Sequence, residues 1–275
     1  MVSLGKLALP LACISARCLQ APAATRPITL MGLQCAAPLA IAAGFDRHGQ
    51  LGRRADTLGF ACNEIGSFDL ASAAGLALPA HKAGTALLGI NLTIDPGSSL
   101  SALCAGLSRA SQLADYLMLN LINPRSAALL STEQRPRLRQ ILVALRVRQL
   151  RLDLSGRRVP LAVKLRCLPG QVPLALTELL LELGYDGLLA AHDPGPPATQ
   201  QRYRAWQNPD NQAQACAQIN QLRALCGNQL TLMSVGGIHT AAHLQARLAA
   251  GAELVQVHTL LLHSWPWQTR RLLAI

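Results

Sequence analysis

Aromatic residues are scarce in this chain of 275 residues, at 3% of the total. A buried core must therefore be built mainly from aliphatic side chains, and hydrophobic residues of all kinds reach 51%. Long apolar runs are also missing, because no stretch approaches the roughly 18 to 20 consecutive apolar residues that a membrane-spanning helix needs. Alanine and leucine account for the positive mean hydropathy of +0.26. The composition indicates a globular domain rather than a membrane-spanning protein.

Acidic residues and lysine are also in short supply. The chain has 14 acidic residues against 25 basic ones, only three of them lysine, which gives a formal charge of +11. Arginine is concentrated in residues 135–158, where the spacing predicts a helix with a basic surface. Such a surface meets nucleic acid, anionic lipid or water. Because aromatic residues do not interleave with the arginines, the pattern is only a weak argument for nucleic-acid binding, and a solvated helix outside the barrel is favoured.

The eight cysteines form no CxxC motif and no cluster with histidine at metal-ligand spacing. We expect free thiols that pack as small hydrophobic groups, which fits a reducing cytoplasm. No metal site is expected.

Eight short apolar runs recur along the chain, and each is followed by a stretch that can form a helix. Strands buried on both faces read as continuous apolar runs, and their alternation with helices is typical of a (β/α)8 barrel. We predict one barrel domain over residues 30–275, preceded by an N-terminal arm of residues 1–29. The predicted strands are Pro38–Gly44, Cys62–Phe68, Ala86–Thr93, Tyr116–Ile122, Pro160–Arg166, Gly187–Ala191, Leu230–Gly237 and Leu254–Leu261. The predicted helices are Ser98–Gln112, Thr132–Leu154, Val172–Gly184, Asn208–Cys226 and Thr240–Gly251.

The N-terminal arm has three interpretations. Its apolar segment Leu4–Ile14 contains Lys6 and is interrupted by Pro10. It is a plain arm, a segment in peripheral contact with a membrane, or a cleaved signal peptide. Pro10, Pro22 and Pro27 argue against a continuous amphipathic helix. The expected location is the cytoplasm, with peripheral contact to the inner face of the membrane as the alternative.

Glycines at the end of the seventh predicted strand mark a candidate phosphate site. Gly236 and Gly237 end this strand, and His258 and Thr259 lie near the end of the eighth. In many barrels the loops after these two strands bind a phosphate through backbone N–H groups. A phosphorylated ligand is one hypothesis, and a simple tight turn is the other.

Polar residues near other strand ends predict the rest of a ligand pocket: Asn91, Asn120 and Lys164. Lys164 lies in an apolar strand, and alternation places it on the inner face if Ala162 and Arg166 share that face. A buried lysine is costly unless an anionic or hydrogen-bonding group meets it. The expected partner is a ligand atom that accumulates negative charge.

Eight sequence blocks, taken together, carry a family resemblance. They are AAGFDRHG (42–49), LGFACNEIGS (58–67), GIN (89–91), ADYLMLNLINPRS (114–126), PLAVKL (160–165), DGLLA (186–190), SVGGI (234–238) and AAGAELVQVHT (249–259). In order and spacing they resemble the dihydroorotate dehydrogenase family, in particular its membrane-associated, quinone-using class. The match runs from about Met31 to Leu262.

The resemblance implies a flavin mononucleotide (FMN) barrel that oxidises dihydroorotate to orotate in pyrimidine biosynthesis. It places the FMN phosphate at Gly236, Gly237, His258 and Thr259, and the isoalloxazine ring against Ala43, Gly44, Ser67, Asn91, Asn120 and Lys164. Lys164 would stabilise negative charge on the reduced ring. The family usually has an aromatic residue followed by a hydroxyl where His258 and Thr259 stand.

The substrate side departs from the family pattern. Asn123 stands where the quinone-linked class has a serine base, and an amide cannot accept a proton usefully near neutral pH. Two segments of the family are also absent. A longer loop that holds the substrate is shortened here between Ser67 and Ala86, and a segment that approaches the flavin after the sixth strand is replaced by Gln200–Asn211. Their loss removes hydrogen-bonding partners that a polar ring substrate requires.

Other substitutions define the predicted substrate site. The family has a lysine, an asparagine and an Asn-Thr pair where this chain has Arg47, Arg125 and His192-Asp193. His192 has two interpretations: an alternative acid or base, oriented by Asp193 or Asp46, or a hydrogen-bonded residue at the strand end without a catalytic role. The predicted substrate-binding residues are Arg47, Asn120, Arg125, His192 and Asp193.

Three hypotheses follow for function. The first is a flavin-dependent oxidoreductase that acts on dihydroorotate or on another small cyclic or enoyl substrate, and the family resemblance makes a quinone a candidate electron acceptor. The second is a catalytically inactive barrel that serves as an interaction or regulatory protein. In the third, the basic surface is the functional part and binds nucleic acid or an anionic membrane.

Overall fold

Eight parallel strands form a closed barrel, which confirms the predicted (β/α)8 fold. The computed structural model describes residues 4–23, 26–78, 83–193 and 199–273. The strands lie around the barrel in the order β10-β3-β4-β5-β6-β7-β8-β9. They are β3 (Leu39–Ile41), β4 (Cys62–Asp69), β5 (Leu87–Thr93), β6 (Tyr116–Asn120), β7 (Leu161–Arg166), β8 (Gly187–Ala191), β9 (Thr231–Val235) and β10 (Leu254–Val257).

Helices surround most of the barrel. They are α1 (Leu4–Cys18), α2 (Leu100–Leu113), α3 (Pro124–Ala127), α4 (Arg135–Ser155), α5 (Leu174–Glu182), α6 (Gln200–Ala205), α7 (Pro209–Cys226), α8 (Ala241–Ala249) and α9 (Thr259–His263). The five predicted helices correspond to α2, α4, α5, α7 and α8. The expectation of a helix after every strand is wrong for β3 and β4. Within the described residues, these strands are followed only by short 3-10 helices at Gly52–Leu58 and Ala73–Gly75.

Helix α1 packs beside the first of these short segments. Ala8, Ala12 and Ala16, spaced four residues apart, are buried in one apolar cluster with Leu51 and Leu58. Small side chains at this spacing let a helix lie close to its neighbour. The α1 helix therefore covers a part of the barrel wall that lacks a long helix of its own.

The sequence-based argument against a continuous N-terminal helix is wrong, since α1 runs through Pro10. Proline inside a helix removes one backbone hydrogen bond and usually bends the helix. The burial of Ala8, Ala12 and Ala16 against the barrel offsets this cost, because tertiary packing commonly overrides local propensity. The outer face of α1 leaves Leu7 and Ile14 exposed.

A hairpin closes the amino-terminal end of the barrel, and the sequence analysis did not predict it. Strands β1 (Ile28–Leu30) and β2 (Leu33–Cys35) pair antiparallel, and Leu30 and Met31 pack into the barrel interior. The hairpin spans the proposed boundary between arm and barrel. The division into residues 1–29 and 30–275 stays a prediction.

The basic segment lies on α4, outside the barrel. Its apolar face buries Leu138, Ile141 and Leu145, while some of its arginines form ion pairs with acids of neighbouring segments, as Arg146 does with Asp186 at 3.1 Å. Each of the eight cysteines is a free thiol. Within the described ranges, no helix combines the length and apolarity needed to cross a bilayer.

Candidate functional site

The carboxyl ends of the barrel strands surround a cavity of about 810 Å3. Barrels place their sites at this end, and the volume suits a cofactor-sized ligand. The predicted site residues that line it are Ala43, Gly44, Arg47, Ser67, Asn120, Asn123, Arg125, Lys164, Asp193, Gly236, Gly237, His258 and Thr259. Asn91 contacts this wall from the barrel interior, whereas His192 is outside the lining.

A buried carboxyl group organises the floor of the cavity. Glu64, from β4, is fully buried and accepts hydrogen bonds from Asn91 Nδ2 at 2.7 Å and from Gln256 Nε2 at 2.8 Å. The hydroxyl of Tyr116 lies 3.4 Å from the same carboxyl group. Gln256 lines the cavity, and its Oε1 is buried with no hydrogen-bond partner among the described residues. The floor therefore contains a buried hydrogen-bond acceptor that no described residue satisfies.

The predicted ring-lining residues Ser67, Asn91 and Asn120 form one hydrogen-bonded row. Because the amide nitrogen of Asn91 donates to Glu64, its carbonyl oxygen faces the other two side chains. Asn120 Nδ2 donates to Asn91 Oδ1 at 2.9 Å, and the hydroxyl of Ser67 donates to the same oxygen. Residues from three neighbouring strands thus hold one another in fixed orientations.

Lys164 lies on the inner face of β7 with Ala162, as its alternation predicts, and lines the cavity. Burial lowers the pKa of its ammonium group, and the nearby charges of Glu64 and Asp193 oppose this effect. Among the described residues, no hydrogen bond or salt bridge engages its Nζ atom. A buried cation of this kind is stabilised by an anionic or hydrogen-bonding ligand.

The turn after β9 requires both of its glycines. Gly236 and Gly237 have φ angles of 110° and 77°. A Cβ atom on Gly236 would lie 2.8 Å from the backbone nitrogen of Asp193, and one on Gly237 would lie 2.3 Å from the ring of Trp206. One side of the turn is therefore closely packed against Asp193 and Trp206, and its other side lines the cavity. This arrangement fits a phosphate held by backbone N–H groups.

Arg247 lies directly behind this turn and was missed by the sequence analysis. It is fully buried and donates to Gln212 Oε1 at 3.0 Å, and its guanidinium lies 5.9 Å from the ring centroid of Trp206. Burial lowers the pKa of Arg247 to about 10. No acidic side chain within the described ranges forms a salt bridge with it. Its spacing of three from buried Leu244 was the available signal that this arginine faces inward.

His258 borders the same end of the cavity. Burial lowers the pKa of His258 to about 4, Lys164 adds to this effect, and Asp193 opposes it. A Cβ atom on Gly44, which has a φ of 104°, would lie only 3.3 Å from His258 Nε2. Glycine at this position lets the imidazole ring pack against the backbone. The neutral ring offers one donor and one acceptor to a ligand.

Asn123 lines the cavity, but its side chain also begins helix α3. Its Oδ1 accepts a hydrogen bond from the backbone nitrogen of Arg125 at 3.0 Å, which is the role of an N-cap residue. Asn123 therefore has a structural function that explains an asparagine at this position. The amide still provides no base for removal of a substrate proton.

The structure does not support His192 as an acid or base. Its Nδ1 lies 2.7 Å from Gln218 Oε1 on α7, on the outer side of the barrel. Burial lowers the pKa of His192 to about 3, and Arg247 adds to this effect. Asp46 cannot orient this histidine, because it accepts hydrogen bonds from the backbone of Gly52 and from Asn63. Alternation explains the outcome, since residue 192 follows outward-facing Ala190 by two positions.

Curated proteins named dihydroorotate dehydrogenase (quinone) are similar to this chain over most of its length. The protein from Stenotrophomonas maltophilia (strain R551-3) is 30% identical over 291 residues, which cover 90% of this chain and 83% of that protein. The protein from Kocuria rhizophila is 29% identical, covering 92% and 85%. For the protein from Thermobifida fusca, the identity is 28% and the coverage is 89% and 77%.

Solved structures show the same fold. A crystal structure of DHODH from Eimeria tenella in complex with ferulenol matches with a TM-score of 0.72 at 21% identity. The match covers 98% of this chain and 89% of that one. No protein-family model matches the chain.

The fold and the cavity together define a (β/α)8 barrel with a cofactor-sized site at the carboxyl ends of its strands. Sequence similarity then identifies the family. The chain belongs to the dihydroorotate dehydrogenase family, as a divergent member with similarity to the quinone-linked class. The family consists of flavoprotein oxidoreductases of pyrimidine biosynthesis, and the predicted resemblance is confirmed.

Proposed function

We propose that the protein is an FMN-dependent oxidoreductase. The observation that carries this proposal is Lys164, a buried cation that faces the cavity with no bonded partner among the described residues. The glycine turn at Gly236 and Gly237 lies in the wall of the same cavity, with the buried charge of Arg247 behind it. A ligand with a phosphate group and a ring that accumulates negative charge matches both features.

The residues divide between the two parts of FMN. The phosphate would be held by Gly236, Gly237, His258 and Thr259, and the ring by Ala43, Gly44, Ser67, Asn91, Asn120 and Lys164. When bound, FMN supplies an acceptor for two electrons from the substrate. Lys164 stabilises the negative charge that results, because a preorganised cation in a buried site requires little solvent reorganisation. The row of Ser67, Asn91 and Asn120 fixes the orientation of the ring edge.

The substrate side supports a reaction different from the oxidation of dihydroorotate. Asn123 provides no base, and Arg47, Arg125 and Asp193 replace the residues that the family pattern leads one to expect. The proposed reaction is therefore oxidation or reduction of another small substrate. A second candidate, a barrel that binds FMN without catalysis, is favoured by the engagement of Asn123 in the helix cap.

Quinone use and membrane contact belong to the same proposal. The curated relatives are named as quinone-linked enzymes. On this chain, the exposed Leu7 and Ile14 of α1 are apolar side chains that could lie in the headgroup region of a membrane. A quinone dissolved in that membrane would then be the electron acceptor.

The visible absorption spectrum of the purified protein tests the proposed function, followed by anaerobic addition of dihydroorotate. A flavin spectrum that dihydroorotate does not bleach is expected, and it would support FMN binding with a different substrate. Bleaching would show that the family reaction is retained despite Asn123. A colourless protein that cannot be reconstituted with FMN would contradict the proposal.

Replacement of Asn123 by serine tests how much the missing base matters. Serine is as good an N-cap as asparagine, so Asn123→Ser is expected to fold with an unchanged melting temperature. We expect less than a tenfold gain in dihydroorotate oxidation, because the substrate loops absent from this chain are not restored. The measurement is the rate of anaerobic flavin reduction at saturating dihydroorotate. A gain of a hundredfold or more would show that the base alone limits the reaction.

A further inference from the structure

Three arginines lie at the mouth of the cavity. Arg47 follows β3, Arg125 lies on α3 after β6, and Arg166 ends β7. In the barrel order, β7 is the fourth strand from β3 and therefore lies opposite it, while β6 and β7 are neighbours. Arg47 thus stands on one side of the mouth, and Arg125 and Arg166 stand on the other. The first two were predicted as substrate residues, whereas nothing had assigned a role to Arg166.

These guanidinium groups have no anionic partner in the described part of the chain. No salt bridge or side-chain hydrogen bond engages any of the three. Elsewhere in the same chain, Arg146 and Arg158 pair with Asp186. Other arginines, such as Arg53, Arg139 and Arg223, also form salt bridges with acids, whereas Arg47, Arg125 and Arg166 form none among the described residues. In the described part of the chain, the pairing found elsewhere therefore does not extend to Arg47, Arg125 and Arg166.

The acids at the cavity wall do not neutralise this charge. Asp69 is engaged in its own turn, where it accepts hydrogen bonds from the backbone and hydroxyl of Ser72. The negative charge of Asp193 raises the pKa of Lys164, which opposes the lowering of that pKa by burial. Among the described lining residues these are the two carboxylates, against the cations Arg47, Arg125, Lys164, Arg166 and Arg202. The cavity therefore has a net positive charge that favours anionic ligands.

We infer that the substrate carries two separated anionic groups, one for Arg47 and one for the pair Arg125 and Arg166. This inference rests on the proposed function and specifies its substrate class. The planar guanidinium group suits bidentate binding of a carboxylate or a phosphate, and two such sites on opposite walls fit a molecule with an anion at each end. Dihydroorotate carries a single carboxylate. Arg166 is the residue that selects the second anionic group.

Calorimetric titration tests the inference. It uses the protein as purified, with the FMN that remains bound to it. The probes are valerate and glutarate, which have the same number of carbon atoms but one and two carboxylates, and 4-phosphonobutyrate, which exchanges one carboxylate of glutarate for a phosphonate. All titrations are run at one ionic strength, because exposed charges are screened by salt. Glutarate is expected to bind at least tenfold more tightly than valerate. Tighter binding of the phosphonate than of glutarate would identify one of the two groups as phosphate-like.

Two variants separate recognition from net charge. Arg166→Met should weaken glutarate at least tenfold and leave valerate within about twofold. Arg151→Met, on the outer helix α4, removes the same charge away from the cavity and should change neither ligand. Equal affinities for valerate and glutarate, no binding of glutarate at millimolar concentration, or equal effects of the two variants would overturn the inference. The heat signal does not require flavin, so loss of FMN contradicts only the proposed function.

Discussion

Protein with Gly236→Asp is expected to lose FMN on purification and to be colourless. The Cβ atom of the new residue would lie 2.8 Å from the backbone nitrogen of Asp193, so the turn must shift, and the new carboxylate adds a negative charge beside the proposed phosphate site. Two like charges at about 4 Å repel by roughly 4 kcal/mol at the effective dielectric of a protein surface, which is about a thousandfold in affinity. The measurement is the ratio of flavin absorbance to protein absorbance, followed by titration of the apoprotein with FMN.

Two further variants separate charge from backbone strain. Gly170 also has a positive φ, 68°, and a Cβ atom there would meet nothing within 4 Å. Gly170→Asp therefore introduces the same residue in a similar backbone conformation away from the cavity, and it should retain FMN. Gly236→Ala adds the Cβ that approaches Asp193 but no charge, and it should weaken FMN less than the aspartate does. If Gly236→Asp remains yellow while folded, the phosphate site is assigned to the wrong turn.

Lys164→Ala is expected to fold and to bind FMN that is harder to reduce. Removal of one preorganised charge from a buried site commonly costs about 3 kcal/mol in the transition state, or a hundredfold or more in rate. The same loss in the stability of the reduced state would lower the two-electron potential by roughly 60 mV. The potential is measured by anaerobic titration against a reference dye, and the rate by stopped-flow reduction with dithionite.

The conservative variant Lys164→Arg provides the control. It keeps a positive charge on the inner face of β7 and should recover most of the potential, although its larger planar group changes the local geometry. Unchanged potential and unchanged flavin affinity in Lys164→Ala would show that this side chain does not face the ring. Thermal unfolding of both variants distinguishes that result from a general loss of structure.

Much of the barrel could be predicted because its strands are buried on both faces. The run at 116–122 is apolar and bounded by polar residues, and it overlaps β6. The run Leu254–Leu261 was predicted too long, because α9 begins at Thr259 and its leucines continue the apolar sequence. Periodicity alone cannot separate a short strand from a short buried helix. Helix α1 was not predicted for another reason. Pro10 argued against a helix, while the alanines that stabilise it pack against residues far away in sequence.

The site shows the same division between local and distant information. Alternation within one strand placed Lys164 inside the barrel, and the same rule, had it been applied, would have placed His192 outside it. The resemblance to a family directed attention to His192 in spite of that rule. Gln256 carried a usable signal, because it is the polar residue of an otherwise apolar strand, whereas the strand of Glu64 contains several other polar residues. The position of Arg247 behind the glycine turn could not be predicted, because Arg247 packs near Trp206, and no local sequence pattern connects these two residues.

The hydrogen bonds that rise from Glu64 have a direction. Since carboxyl oxygens accept, the amide of Asn91 must turn its nitrogen downward and its carbonyl oxygen upward. That oxygen then accepts hydrogen bonds from Asn120 and Ser67. The hydroxyl oxygen of Ser67 accepts one hydrogen bond from Asn120 and keeps its second lone pair for a ligand. The carboxyl group of Glu64 therefore determines which donors and acceptors face a ligand, although the ligand does not contact that group. A glutamine in place of Glu64 would preserve the shape of the floor, but its amide could also donate a hydrogen bond to Asn91. The amide of Asn91 could then turn over, and the orientation of the hydrogen bonds along the floor would no longer be fixed.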